Sequence, residues 1–194
     1  MEKGGLSDSL SAVGVRLGQR VAWADEMRLG LHGQVRRRWT LRGVKLRQKV
    51  EIRYVWRYLA LWVEPMGWLS WKWLPHMGKE MVAETVPEWR REGAKAVVWD
   101  RAPSHRAKMV REIGLPLVEQ PPYSPELNPA ERVFEEVRRV VEGVVYGDIE
   151  NKMAVVETFL RELAADPERV QRLVGWSWIS DALSALPLPN LAPD

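Results

Sequence analysis

Three acidic residues stand where an α/β chain tends to place its chemistry: Asp25, Asp100 and Glu131. Asp25 lies in an alternating stretch. Asp100 follows the apolar run Ala96-Val97-Val98-Trp99, and Glu131 falls just after Pro129, where an amphipathic pattern begins. Functional groups of open α/β sheets gather beyond the carboxyl ends of strands. Carboxylates brought together repel unless a proton or a cation joins them, and hard divalent ions with oxygen ligands are the natural bridge. Mg2+ is the usual ion where phosphates are handled. Two such ions about 3.5–4 Å apart can activate water and stabilise the leaving oxygen of a phosphodiester. Competing chemistries are few, because the chain has no cysteine and 3 histidines. That excludes thiol nucleophiles, disulfide scaffolds and thiolate zinc sites. His32, His76 and His105 are too scattered for a polyhistidine metal site.

Each acid also has a purely structural role open to it. Asp25 is followed by Glu26, and strand alternation lets one of the two face a given site; the pattern favours Asp25. Asp100-Arg101-Ala102-Pro103 could simply start a turn. Asn128-Pro129-Ala130-Glu131 reads as a helix start, with Asn at the cap, Pro at the first helical position and Glu completing a capping box. Capping and ligation are compatible, since a helix N-terminus stabilises an ionised carboxylate. Glu135, one turn on, is the substitute if Glu131 only caps.

The positive charge is unevenly spread. The net charge is +3, yet Arg36, Arg37, Arg38, Arg42, Lys45, Arg47, Lys49 and Arg53 crowd one stretch against the single acid Glu51. Such a block could lie along a polyanion, or form a solvated strand-and-loop face. Arg36, Arg37, Arg38, Arg42, Lys45 and His105 are the candidate nucleic-acid contacts, with a surface position the plain alternative for His105. Most of the 11 tryptophans read as core, and a few could stack on bases.

The elements that must position these groups follow from periodicity. Alternation predicts a strand over 19–31, a second at 37–41, a third at 54–63, and a fourth at 69–74 after the turn Pro65-Met66-Gly67. Helical spacing covers 79–91. Residues 95–99 form a short, fully apolar strand of the kind that lies in the centre of a sheet. A helix is expected over 104–113 and a strand over 115–119, stopped by Pro121-Pro122. Val133, Phe134, Val137, Val140 and Val141 define the buried stripe of a strong helix from Pro129. Further helices follow at 151–164 and from Asp166-Pro167. Residues 1–18 read as a loop and lead-in, 146–185 as C-terminal helices, and 186–194 as a frayed Pro-rich tail. The fold class is mixed α/β, built on one sheet.

Three blocks resemble the DDE transposases of the mariner superfamily, with the bacterial insertion sequence 630 family the best fit. The first is Trp23-Ala24-Asp25-Glu26-Met27-Arg28-Leu29-Gly30-Leu31 followed by Arg37-Arg38-Trp39-Thr40-Leu41-Arg42-Gly43. The second is Asp100-Arg101-Ala102-Pro103-Ser104-His105. The third and most specific is Pro121-Pro122-Tyr123-Ser124-Pro125-Glu126-Leu127-Asn128-Pro129-Ala130-Glu131. The resemblance covers residues 19–145. It implies an RNase H-like fold, a mixed sheet of three antiparallel strands plus further strands flanked by helices. It also implies a triad carried by Asp25, Asp100 and Glu131 that binds two Mg2+ ions, with Mn2+ as substitute. The implied activity is DNA transposition: phosphodiester hydrolysis at the terminal repeats, then strand transfer into target DNA. Two departures matter. Arg101 stands where the family commonly has Asn, and little chain precedes Asp25, so the family's N-terminal helix-turn-helix domains are not expected in this sequence. End recognition is then expected to need a separately encoded helix-turn-helix partner, and pairing of two ends implies a homodimer. The departures keep open a catalytically inactive DNA-binding or interaction domain derived from such an enzyme. A related RNase H-like nuclease is the third reading.

The remaining bounds are broad. The chain has 194 residues, 46% hydrophobic and 28% charged, which suits one domain of ordinary size. No apolar run approaches the roughly 20 residues of a membrane span. The polar start, Met1 to Asp8, lacks a signal peptide's apolar core, so a cytoplasmic protein is expected.

Overall fold

The computed structural model describes residues 3–33, 39–45 and 47–189. Five strands form one sheet: β1 (Val21–Gly30), β2 (Trp56–Glu64), β3 (Trp68–Leu74), β4 (Ala96–Trp99) and β5 (Leu117–Glu119). Their order is β3-β2-β1-β4-β5. The first three are antiparallel, while β4 runs parallel to β1 and β5 parallel to β4. This is the mixed sheet expected from the order of the elements.

Helices cover both faces, which is why β4 and the first four residues of β1 read as continuous apolar runs. Ala22 and Ala24 of β1 pack with α2 (Lys79–Arg91) and the short α3 (Lys108–Arg111). Val21, Trp23, Met27 and Leu29 pack on the other face with α4 (Ala130–Val141), α5 (Ile149–Ala164) and α6 (Pro167–Val174). The apolar stripe of α4 is buried as its spacing predicts, at Val133, Phe134, Val137 and Val141. Asp148 caps α5 by accepting the Asn151 N–H at 2.6 Å, and Asp166 caps α6 by accepting the Arg169 N–H at 2.9 Å. Pro167 sits in the first turn of α6. These C-terminal helices share one core with the sheet.

Four expectations need correction. Residues 1–18 are not a plain loop: α1 (Lys3–Ala12) packs against α7 (Ser177–Ser184), with Leu6 and Leu10 fully buried. Gly4, Gly5 and several serines hide the single apolar i, i+4 pair, and tertiary packing makes the helix. Of the strand expected at 37–41, residues 37 and 38 lie outside the described residues, and Trp39, Thr40 and Leu41 are exposed and irregular. The helix expected over 104–113 is reduced to α3, because the turn at 103–106 swings His105 inward. The tail begins later than 186, since Leu186 is buried and the Pro187 carbonyl accepts the Leu17 N–H at 2.8 Å.

Candidate active site

Alternation along β1 separates the two neighbouring acids. Trp23 and Met27 lie in the core beneath α4, so Asp25 between them points to that face, while Glu26 points with Ala24 toward α3. The parallel register pairs Trp23 with Val98. Continued past the end of β4, it sets Asp25 level with Asp100. Glu131 enters from the first turn of α4.

Asn128 locks these elements together. Its Nδ2 donates to the Ala24 carbonyl at 3.0 Å and to Asp25 Oδ2 at 3.2 Å. Its Oδ1 accepts the Ala130 N–H at 3.1 Å. One buried amide thus caps the start of α4 and ties it to β1 beside Asp25. The other half of the expected capping box is not formed, because Glu131 Oε2 turns to Arg138 at 3.3 Å. Asp25, Asp100 and Glu131 line one cleft of about 480 Å3, with Arg101, Gln120 and Tyr123 on its walls. Glu135 is outside it and pairs with Arg132 at 2.7 Å.

The surroundings of Asp25 disfavour its charge. Burial and then the Glu26 carboxylate push its pKa up to about 7, and Glu131 and Asp100 push the same way. The Glu26 N–H, donating to Oδ1 at 2.8 Å, opposes this rise. Asp100 behaves oppositely: His105 beside it holds its carboxyl below the ordinary range, against the effect of burial, and the Ala102 N–H donates to Oδ1 at 2.9 Å.

His105 is corrected from a nucleic-acid contact to a buried positioning group. Only 2% of its surface is exposed. Its Nε2 lies 3.1 Å from Glu26 Oε2, and its ring stacks on Trp99 at 3.7 Å between centroids. Nδ1 lies 2.6 Å from Asp100 Oδ1, a close pair on that side of the ring. Burial pushes the His105 pKa down, but the two carboxylates outweigh it and raise it to about 9. Glu26, passed over for Asp25, therefore serves as the second anchor of the imidazolium that orients Asp100.

Arg101 is drawn off by its neighbours: its Nε lies 3.4 Å from Glu119 and donates to the Gln120 carbonyl at 3.1 Å. Arg42 and Lys45 are exposed on the segment between β1 and β2, whereas Arg36, Arg37 and Arg38 lie outside the described residues. Most tryptophans are structural. Trp23, Trp62 and Trp99 are fully buried, and the indoles of Trp71 and Trp73 both donate to Glu157 Oε2.

Two cleft residues escape a reading by motif chemistry. The Gln120 side chain is buried and its Nε2 has no partner, leaving a donor on the wall. Tyr123 is fully exposed at the rim and holds φ 55, the one non-glycine with positive φ among the described residues. An exposed aromatic ring in the run Pro121-Pro122-Tyr123 was the available signal, and such backbone strain concentrates at functional sites.

Among the described residues, no three acidic or histidine side chains converge closely enough to enclose an ion as they stand. Asp100 is held toward His105 and Glu131 toward Arg138, each by a cation of the protein itself. The donor chemistry nevertheless fits a hard divalent cation. The acids offer only oxygen, and a cation would favour the ionised form of Asp25, which burial first and then the neighbouring carboxylates disfavour.

The profile of the DDE superfamily endonucleases matches residues 20–151. No curated protein matches the chain in sequence. Among solved structures, the fold is similar to the Mos1 strand transfer complex, with TM-score 0.68, 15% identity, and coverage of 94% of this chain and 60% of that one. The mariner Mos1 paired-end complex with Mg gives TM-score 0.65 at 15% identity, covering 97% and 62%. The Mos1 transposase catalytic domain with Raltegravir and Mn gives TM-score 0.59 at 14% identity, covering 94% of both chains. The chain therefore spans about three fifths of the chains in those complexes and nearly all of the catalytic domain, whose RNase H-like sheet it shares.

Proposed function

Because the chain belongs to the DDE superfamily of endonucleases, we propose that it is the catalytic domain of a DNA transposase, cutting and joining phosphodiesters at Asp25, Asp100 and Glu131. The observation that carries this reading is the single cleft lined by those three carboxylates, one from β1, one beyond β4 and one from α4. They would hold Mg2+ as two ions, or Mn2+ in its place. When bound, such ions lower the pKa of a water and neutralise charge developing on the phosphodiester.

The protein's own groups set the geometry. Asn128 fixes the Asp25 carboxylate against α4, and His105, braced by Glu26, fixes Asp100. The exposed Tyr123 ring is a surface on which a base can stack. In hydrolysis a water oxygen forms the new bond to phosphorus and the 3′-oxygen leaves, taking up a proton. In strand transfer that 3′-hydroxyl attacks a target phosphodiester and displaces its 3′-oxygen. Both are in-line displacements, so one cleft serves both. Assignment to the insertion sequence 630 family, pairing of two copies, and end recognition through a helix-turn-helix partner belong to this proposal, carried by the motif at 121–131.

The test is nicking of supercoiled plasmid in Mn2+, which needs no cognate sequence. Wild type is expected to nick it, and Asp25→Asn, Asp100→Asn and Glu131→Gln each to abolish nicking while remaining folded by circular dichroism. A variant that still nicks removes its residue from the triad. Cutting of RNA–DNA hybrids without joining of 3′ ends would favour a nuclease instead.

A further inference from the structure

A second cavity, of about 220 Å3, is lined by Arg138, the partner of Glu131. Its walls are the end of β1, residues 48–49, and the segment from Arg138 in α4 to Lys152 in α5. Four cationic side chains line it, Arg28, Lys49, Arg138 and Lys152, against the single carboxylate of Glu142 among the described lining residues.

Lys152 makes this more than a charged surface. It is 7% exposed, yet its Nζ meets no carboxylate among the described residues. It donates to the Gly30 carbonyl at 2.7 Å and lies 5.8 Å over the Tyr146 ring. That carbonyl and that ring face are the contacts of the ammonium among the described residues, and its side chain lines the cavity. A buried charge in that state is costly unless an anion completes the site. Desolvation accordingly lowers its pKa. Lys49 is exposed, and the Arg28 guanidinium rests 5.5 Å from the Trp56 ring centroid without an acidic partner among the described residues. Both can turn to an anion at little cost.

Arg138 joins this cavity to the cleft. It stands on the cavity wall and pairs with Glu131, which lines the cleft. We infer that the cavity is a phosphate subsite, which holds a backbone phosphate of the same nucleic-acid strand, a few nucleotides from the phosphodiester that lies at Asp25, Asp100 and Glu131. The inference rests on the transposase reading for its strand, and on Lys152 and the cavity for its place. Arg42, Lys45, Arg47 and Lys49, on the segment between β1 and β2, are exposed.

The test is anisotropy of a fluorescent single-stranded oligonucleotide in EDTA, where metal at the carboxylates makes no contribution. The variants are Lys152→Gln, which keeps a donor for the Gly30 carbonyl, and Arg28→Gln with Lys49→Gln, which touches only exposed side chains. Each neutralised contact should weaken binding equally for all sequences and lower the slope of log K against log salt by about 0.7. Wild-type slope and affinity in both folded variants would overturn the subsite, even if wild type nicks plasmid as the transposase reading requires. Absence of binding and of nicking in wild type would instead overturn that reading. Inorganic phosphate raising the melting temperature of wild type but not of Lys152→Gln, with oligonucleotide binding unchanged in every variant, would overturn the strand assignment and leave a free-anion pocket.

Discussion

Asp25 and His105 make the site sensitive to pH in the same direction. The Asp25 pKa rises on folding to about 7, through burial and then Glu26, so folding is favoured when it is neutral. Its cost is absent below its ordinary value near 3.8 and grows until pH passes about 7. His105 is raised to about 9, against burial, by Asp100 and Glu26, so its contribution is complete below about 6.5 and lost as pH rises through 9. Metal-free protein is therefore expected to lose stability steadily from about pH 4 to pH 9. Urea unfolding across that range should show it, and Asp25→Asn should flatten the part between pH 4 and 7. A wild-type curve that rises over that interval would show that Asp25 is not held near neutrality. Much at this scale was legible in the residues. The motif and the strand end picked out Asp25, Asp100 and Glu131. Two faces covered by helices gave both Asp25 and Glu26 an environment, and only the observed packing of Trp23 and Met27 under α4 separates them. The inward turn of His105 depends on a contact with Glu26, distant in sequence, that no local pattern announces.

At the scale of elements, long periodic stretches declared themselves and short or tertiary ones did not. α2 and α4 follow from their spacing, and β4 from its unbroken apolar run. α1 did not, because its buried Leu6 and Leu10 are isolated among Gly and Ser, and its stability comes from the core it enters. Leu10→Ala should then cost about 2–5 kcal/mol in urea unfolding, the usual range for a buried leucine. A cost near zero would mean that α1 is not part of the cooperative core. The β2–β3 turn offers a second test. Gly67 holds φ 111, and a Cβ there would come within 2.7 Å of the Pro167 carbonyl at the start of α6. Gly67→Ala should destabilise the protein by more than about 1 kcal/mol, from left-handed backbone and collision together. The hairpin turn was readable from Pro65-Met66-Gly67, but its docking on α6 was not.

Across the whole molecule, the carboxylate cleft and the cationic cavity are built on one sheet. The carboxylates gather where β1, β4 and α4 meet, and the cationic cavity lies beyond α4 toward the basic segment between β1 and β2. Arg138 is the residue between them, seven positions after Glu131 on the same helix. Among the described residues no helix is long and apolar enough to cross a membrane. The mixed topology was foreseeable from the succession of hairpin strands and then alternating helices and strands. The closeness of the two surfaces depends on how α4 lies across the sheet, which spacing alone does not encode. The central claim is that the three carboxylates form a cation site, and Mn2+ titrated against thermal stability, without DNA, tests it most directly. A ligand bound only by the folded state adds about 2.7 kcal/mol at a hundredfold excess over Kd, or roughly 5–10 °C for a chain of this size. Wild type is expected to show that saturable rise and Glu131→Gln to lose it, since Gln remains compatible with the helix start but is a poor ligand for a hard cation. Equal rises in both proteins, or no rise in either, would contradict the account.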